Sequence, residues 1–434
     1  QKKVNNSIKL EDQKIESSIG GFDLGCGLRL WHEGSTYYGY VDSIKKDDLL
    51  NAARILASSI ESSNAGRAIK VGEASKSSSE AEKKPSTIAL EEKRDMLSVV
   101  DSSARNFNQH IIQVASNISD LEQEIFIANS WGHSSYEKSV KAILTVNVVA
   151  AKEGEIRTGY KSYAKTLGYE MFGQKSPEDL ALQAAGIAVR MLDAVGAPAG
   201  EMPVVIGPAF GGVIFHEACG HGLEADAIIK DASVFKGKLD KKVASGLVTA
   251  IDDPSLEGHW GSYRFDDESY RSGKTTLIEE GILKSYIFDL KSSKKLRSVQ
   301  TGNGRRQSYR HIPYPRMSNT YIANGSEAPE EIIGSVSRGI YAKEFAGGQV
   351  DPATGDFVFG ISEGYIIENG EIGEPIKGAT LIGNGPNVLQ KIEAVGNDLG
   401  FAPGFCGKNG QSIANEVGQP TIKVAKMTVG GTEK

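Results

Sequence analysis

Cysteine is scarce in this chain: three among 434 residues, at positions 26, 219 and 406. That is too few and too scattered for a disulfide framework, so a reducing, cytoplasmic setting is expected. Long hydrophobic runs are missing too. No apolar stretch reaches the roughly 18 residues that span a bilayer, so no membrane partner is expected. One of the longer runs, Ala142 to Ala151, is rich in β-branched residues and reads as a buried strand. Positive charge is not in excess. With 49 Lys and Arg against 55 Asp and Glu, the net charge is −6, which argues against a nucleic-acid surface over the whole protein. The local exception is Lys284 to Arg316, with nine Lys or Arg and one acid, Asp289. No signal peptide is visible and there is no initiator Met, so Gln1 is expected to follow a segment lost from this sequence.

Histidine is also sparse, with seven in the chain. Two of them, His216 and His221, flank Glu217 in an otherwise small and apolar segment, HEACGHG. Two imidazoles and a carboxylate this close are what a catalytic metal site needs. In H-E-x-x-H the imidazoles sit at i and i+4, about 40° apart on a helix. Here the spacing is i and i+5, which an ideal helix separates by about 140°. A regular helix cannot offer both to one ion, so a bulge or break between them is expected. Gly220 is the residue with the backbone freedom for it. The bland alternative is two unrelated histidines on a buried helix. His110 and His133 are read as structural.

The rest of the chain supplies the frame. Val4 to Ile44 reads as a meander, with a hairpin turning at Glu33-Gly34-Ser35. A helix is expected from Asp47 to about Ser59, burying Leu50, Ala53, Ile55 and Leu56. Residues 65–86 are a solvated connector. Helical periodicity runs from Thr87 to Ile118, followed by strands at Glu124–Asn129, Ser139–Ala151 and Glu155–Tyr163. Pro177 to Leu192 reads as a helix with Ser176, Glu178 and Asp179 at its start. Gly196-Ala197-Pro198-Ala199-Gly200 is a breaker cluster and a candidate boundary. Beyond it glycine becomes frequent, and strand-like runs such as Thr275–Glu279, Lys284–Leu290, Phe357–Gly360 and Thr421–Val429 dominate. The expected class is α+β in two domains. Residues 1–195 form a sheet with flanking helices; residues 196–434 form a β-rich antiparallel domain carrying the HExxxH helix. Gly207-Pro208-Ala209-Phe210-Gly211-Gly212 lacks the endings of a phosphate loop, so those glycines are read as sites of close backbone packing.

A catalytic zinc site usually has three protein ligands and one open position. The candidates for the third are Cys219, Cys406, Glu224 and Asp226. Cys219 would have to reach the metal from an adjacent turn. Cys406 lies in a glycine-rich turn, where Lys408 could support a thiolate.

Several separated segments resemble the TldD/PmbA family of metallopeptidases, and specifically its metal-bearing TldD branch. They are HEACGHGLEAD, TGNGRRQSYRHIPYPRMSNTY (Thr301 to Tyr321), GIYAKEFAGGQVD (Gly339 to Asp351), KGATLIGNGP (Lys377 to Pro386), CGKNGQS (Cys406 to Ser412) and the C-terminal GQPTIKVAKMTVGG. The resemblance implies that His216 and His221 bind Zn2+, that Glu217 is catalytic, and that Cys406 is the third ligand. It places Cys219 where the family carries an ordinary apolar residue. Compared with the family pattern the chain starts late. The resemblance further implies hydrolysis of unfolded or extended peptides, such as leader segments of modified peptides. It implies a homodimer or a heterodimer with a metal-less TldD/PmbA paralogue. It sets the Thr301–Tyr321 motif near the active site, where Arg305, Arg306, Tyr309, His311 and Arg316 are candidate substrate-binding residues. The competing readings are a non-catalytic metal-binding subunit or scaffold, and a nucleic-acid regulator using the basic strip. Intact ligand positions weigh against the first, the acidic whole and few stacking aromatics against the second.

Overall fold

The computed structural model describes residues 1–60, 70–79 and 81–432. The fold is mixed α+β and strand-rich. Strands β1 (Lys2–Glu11) and β2 (Lys14–Leu24) form a hairpin, as do β3 (Cys26–His32) and β4 (Ser35–Val41). A helix, α1 (Lys46–Ala57), follows. A short strand β5 (Ser75–Ser78) precedes α2 (Leu90–Phe107). Three long strands come next: β6 (Ile111–Ala128), β7 (Ser134–Lys152) and β8 (Glu155–Lys165). Then comes α3 (Pro177–Arg190), whose cap Ser176 accepts a hydrogen bond from the backbone N–H of Asp179. The sheet order is β2-β1-β6-β7-β5, with β8 also on β7. Helices α2 and α3 cover one face. Leu97, Val100, Ala104, Leu180 and Ala184 pack on Ile8, Val114, Ile118, Leu144 and Val146.

Three expectations for this half change. The Ile111–Ile118 segment is strand, not helix, because the chain becomes extended at Asn108 (φ −161°, ψ 143°). Helix α1 buries no residue, and Leu50 and Ile55 are 42% and 62% exposed. Among the described residues it lies mainly against the two-stranded β3–β4 hairpin, which offers little surface to cover it. Within the expected connector, β5 pairs in parallel with β7 and Pro85 is buried; residues 65–69 and 80 lie outside the described residues.

The second half builds two further main sheets. An eight-stranded sheet has at its centre Gly200–Ile206, Ile422–Gly430, Thr380–Asn384 and Asp356–Glu368. A six-stranded sheet includes Ala250–Asp252, Asn319–Ile322, Gln411–Gln419 and Gly400–Lys408. Pairing is mostly antiparallel, but Val204–Ile206 runs parallel to Ile340–Ala342, and Asn319–Tyr321 parallel to Glu416–Gly418. Apolar residues of both sheets and of the His216 helix, among them Val204, Ile214, Phe215, Ile340 and Phe359, form one buried cluster. Lys284–Leu290 is not a strand. Asp289 caps a helix over Leu290–Leu296 through a reciprocal pair of bonds with Ser292, which ends the extended run after a single bridge from Ile287 to Glu224.

Candidate metal centre

Strand Gly200–Ile206 delivers the chain into a tight turn, Ala209–Gly212, and then into a short helix, Val213–Ala218. Gly212 makes that entry possible. A Cβ there would lie 2.7–2.8 Å from the backbone of Gly418, so the helix start sits directly against the Gln411–Gln419 strand. His216 and Glu217 ride on the helix. The helix stops at Cys219 (φ −131°, ψ −48°), and a 3-10 turn, Gly220–Leu223, carries His221. The break falls at Cys219 rather than Gly220. Gly220 contributes by its size: a Cβ would lie 2.2 Å from the Met317 sulfur. This break brings together the imidazoles that an unbroken helix would point apart. Their ring centroids are 5.1 Å apart and nearly perpendicular, at 83°.

The third group arrives from strand Gly400–Lys408. Cys406 Sγ lies 3.3 Å from His221 Nε2, and donor atoms of His216, His221 and Cys406 all fall within 4.8 Å of one another. His216 and Cys406 are buried, and the His221 side chain is 10% exposed. The Glu217 carboxylate stands 3.8 Å from His221 Nε2 and is 31% exposed, so it borders the donors on the open side. Burial alone would raise the Cys406 thiol, but hydrogen bonds and charge from His216 and His221 prevail and lower its pKa to about 5. Both imidazoles thus favour the thiolate, the form that binds metal.

Around these donors lies a charged support. Glu224 Oε2 meets His221 Nδ1 at 2.9 Å, which leaves Nε2 turned to Cys406. Burial opposes the charge on Glu224, yet Lys408 and His221 hold its carboxyl well below the usual range. Burial likewise opposes charge on His221, and Glu224 with the Cys406 sulfur raises its pKa above the ordinary value. Lys408 donates to Glu224 at 2.8 Å and to Asp226 at 2.6 Å. It thus holds the carboxylates and not the thiolate, as the sequence had suggested. Glu224 and Asp226 are outside the donor cluster. Burial pushes the Cys219 thiol up, and its sulfur packs against Gly385, where a Cβ would meet it at 2.7 Å. Asn415, which sequence reading passed over, puts its amide nitrogen 3.4 Å from the His216 ring. It sits on the strand paired to that of Cys406, a neighbour only the sheet register reveals.

The candidate substrate residues divide. Arg316 is fully buried; its Nη2 donates to the Cys406 carbonyl at 2.6 Å, while Nε and Nη1 have no partner among the described residues. Tyr309 is buried, and its hydroxyl bonds Asp23 and Asp42 at 2.9 and 2.7 Å. His311 bonds Ser308; burial, then the Arg306 and Arg310 charges, lower its pKa. Arg305 donates to the carbonyls of Met317 and Ala414, and Arg306 to Tyr38 and Asp267. Arg305 and Arg306 line a cavity of about 320 Å³ with Lys141, Trp260 and Phe405. None of the three donors lines that cavity. Phe405 and Cys406 are successive on one strand, so their side chains leave opposite faces.

Two imidazoles and a thiolate with a carboxylate alongside are the donor chemistry of a metal-dependent hydrolase. The comparisons narrow that class. Family models described as PmbA/TldA metallopeptidase domain 1, central domain and C-terminal domain match residues 1–70, 83–192 and 199–431. The Metalloprotease TldD homolog of Buchnera aphidicola subsp. Schizaphis graminum is 37% identical over all of this chain and 92% of its own length. That of Haemophilus influenzae is also 37% identical, covering 98% of this chain and 90% of its own. The solved structure of TldE from Thermococcus kodakarensis superposes with a TM-score of 0.77 at 20% identity, covering 99% of this chain and 95% of its own, a likeness of fold. The chain belongs to the PmbA/TldD metallopeptidase family. It is an enzyme, a metallopeptidase. No helix among the described residues is long and apolar enough to cross a membrane.

Proposed function

We propose that the protein is a zinc-dependent peptidase acting on unfolded or extended peptides, with His216, His221 and Cys406 as ligands and Glu217 as general base. The observation that carries this is the convergence of three donors within 4.8 Å beside the partly exposed carboxylate of Glu217. Imidazole and thiolate together favour zinc over the harder divalent ions. A Zinc metalloprotease TldD homolog of Saccharolobus solfataricus, 34% identical over 65% of this chain and 64% of its own length, adds support for that choice. Zinc bound here supplies Lewis acidity, acidifying a water and polarising the peptide carbonyl, more weakly than with a third imidazole because the thiolate donates more charge. Glu217 takes the proton of the attacking water and returns it to the leaving amine. Glu224 fixes the tautomer of His221, and Lys408 fixes Glu224. Arg305 and Arg306 remain candidates for holding the peptide. Tyr309, His311 and Arg316 are kept with them, acting through the segment they anchor.

In this reading residues 1–195 and 196–434 are the two domains, each with its own main apolar cluster. The working form is a dimer, with itself or with a metal-less paralogue, in the cytoplasm. The test is zinc content and cleavage of an unfolded peptide by wild type and Glu217→Gln, alone and co-purified with any partner. Metal in both proteins, with turnover reduced at least about a hundredfold in the variant, is the expected result. Equal turnover would overturn the role of Glu217, and absence of metal from the wild type would overturn the site.

A further inference from the structure

The sheet of the first half ends at β5. That strand pairs with β7 through Ser75–Ser135 to Ser78–Lys138, and among the described residues no strand pairs its other edge. A groove of about 1010 Å³ runs between this edge and the Leu290–Leu296 helix. Ser75, Lys76 and Ser77 all line it. Successive side chains of a strand point to opposite faces, so three in a row border a groove only where it follows the strand's open edge. Free backbone groups on such an edge are a template for an added strand.

The groove is strongly basic in a chain of net charge −6. Lys76, Arg264, Arg271 and Lys294 line it. Arg264 has only a 3.7 Å contact with Glu257, which is 91% exposed. Arg271 and Lys294 form no ion pair among the described residues. The one carboxylate in the lining, Glu268, is already taken by Arg29, by the Leu290 backbone and by Gln300. Trp131 and Tyr270, 50% and 39% exposed, add apolar area at the rim.

We propose that this groove binds an extended acidic peptide segment, added as a strand along β5 with its carboxylates on Arg271 and Lys294. The open edge selects a peptide over a nucleic acid, because it offers backbone donors and acceptors in strand register. That the occupant is a remote part of the peptide being cut rests on the peptidase reading; the binding itself does not.

The probe is a fluorescent peptide of about ten residues alternating Glu or Asp with small apolar residues. It is titrated by anisotropy against the full chain carrying Glu217→Gln, so that nothing is cleaved. Reversal of both exposed cations, Arg271→Glu with Lys294→Glu, is expected to weaken binding roughly tenfold and to flatten its salt dependence. Methylating alternate backbone amides of the probe, charge unchanged, is expected to weaken it comparably. Unchanged affinity in the double variant would overturn the site. Unchanged affinity of the methylated probe would overturn strand addition, and tighter binding of a single-stranded DNA of equal charge would overturn the peptide assignment. With Glu217 restored, the double variant should raise KM for acidic substrates and leave kcat alone. Binding without any turnover, by wild type both alone and co-purified with any partner, would sink the peptidase reading and leave the groove standing.

Discussion

Glu224 is buried, yet it decides how His221 is presented. Its carboxylate takes Nδ1 and is itself held by Lys408. Removing that support from Nδ1, as in Glu224→Gln, should lower metal affinity about 10- to 100-fold, read by competition with a chelator. Lys408→Met should act in the same direction, through the loosened carboxylate. The sulfur makes a second prediction. Its pKa is depressed to about 5 from an ordinary value of 9.0, so metal-free protein at neutral pH should show thiolate ultraviolet absorbance that is lost in Cys406→Ala. The band should disappear as pH falls through about 5, not through 9. At this scale the two imidazoles and Glu217 were legible because they sit within six residues of one another. The work of Glu224 and Lys408 was not. Both residues were noticed, one as a possible ligand and one as a support for sulfur. Which atom each faces is settled by a strand and a loop that meet only in the folded chain.

The His216 helix is short because Cys219 leaves helical geometry, and it is well placed because Gly212 lets it touch the neighbouring strand. Gly212→Ala would drive a methyl into the Gly418 backbone, which cannot swing aside as a side chain could. We expect a loss of about 1–3 kcal/mol in denaturant titrations, with weaker metal retention because the strand it pushes carries Asn415. Elements with strong periodicity were legible from the sequence: α3 with its Ser176 cap, the β3–β4 hairpin, and β8. Two misreadings share a cause. Ile111, Ile112 and Val114 fit a helical stripe and a strand equally well over so few residues, and pairing with β1 and β7 decided for the strand. Lys284–Leu290 looks extended by composition, but the Asp289 cap prevailed.

The two halves are tied by charge. Arg29 of β3 reaches Glu268, whose side chain is fully buried, and Arg310 holds Asp23 and Asp42. Arg29→Met would leave a buried carboxylate without its cation, and a loss of about 3 kcal/mol is expected in denaturant unfolding. Replacing Glu268 by Gln in the same chain should recover part of it, since no uncompensated charge then remains. Such ties were invisible in the sequence: their partners are more than 200 residues apart, and although Arg310 lies in the Thr301–Tyr321 motif, its acidic partners lie in none. What was legible at this scale was the change of texture near residue 196, where glycine-rich strands take over.

His221 and Cys406 are separated by 185 positions. A ribosome therefore finishes both imidazoles, the carboxylate and most of the strands around them well before the sulfur emerges. An incomplete nascent chain, or one truncated ahead of residue 406, carries His216, Glu217 and His221 without the sulfur. The three-donor cluster therefore cannot close on a growing chain until residue 406 has been made and has folded against His221.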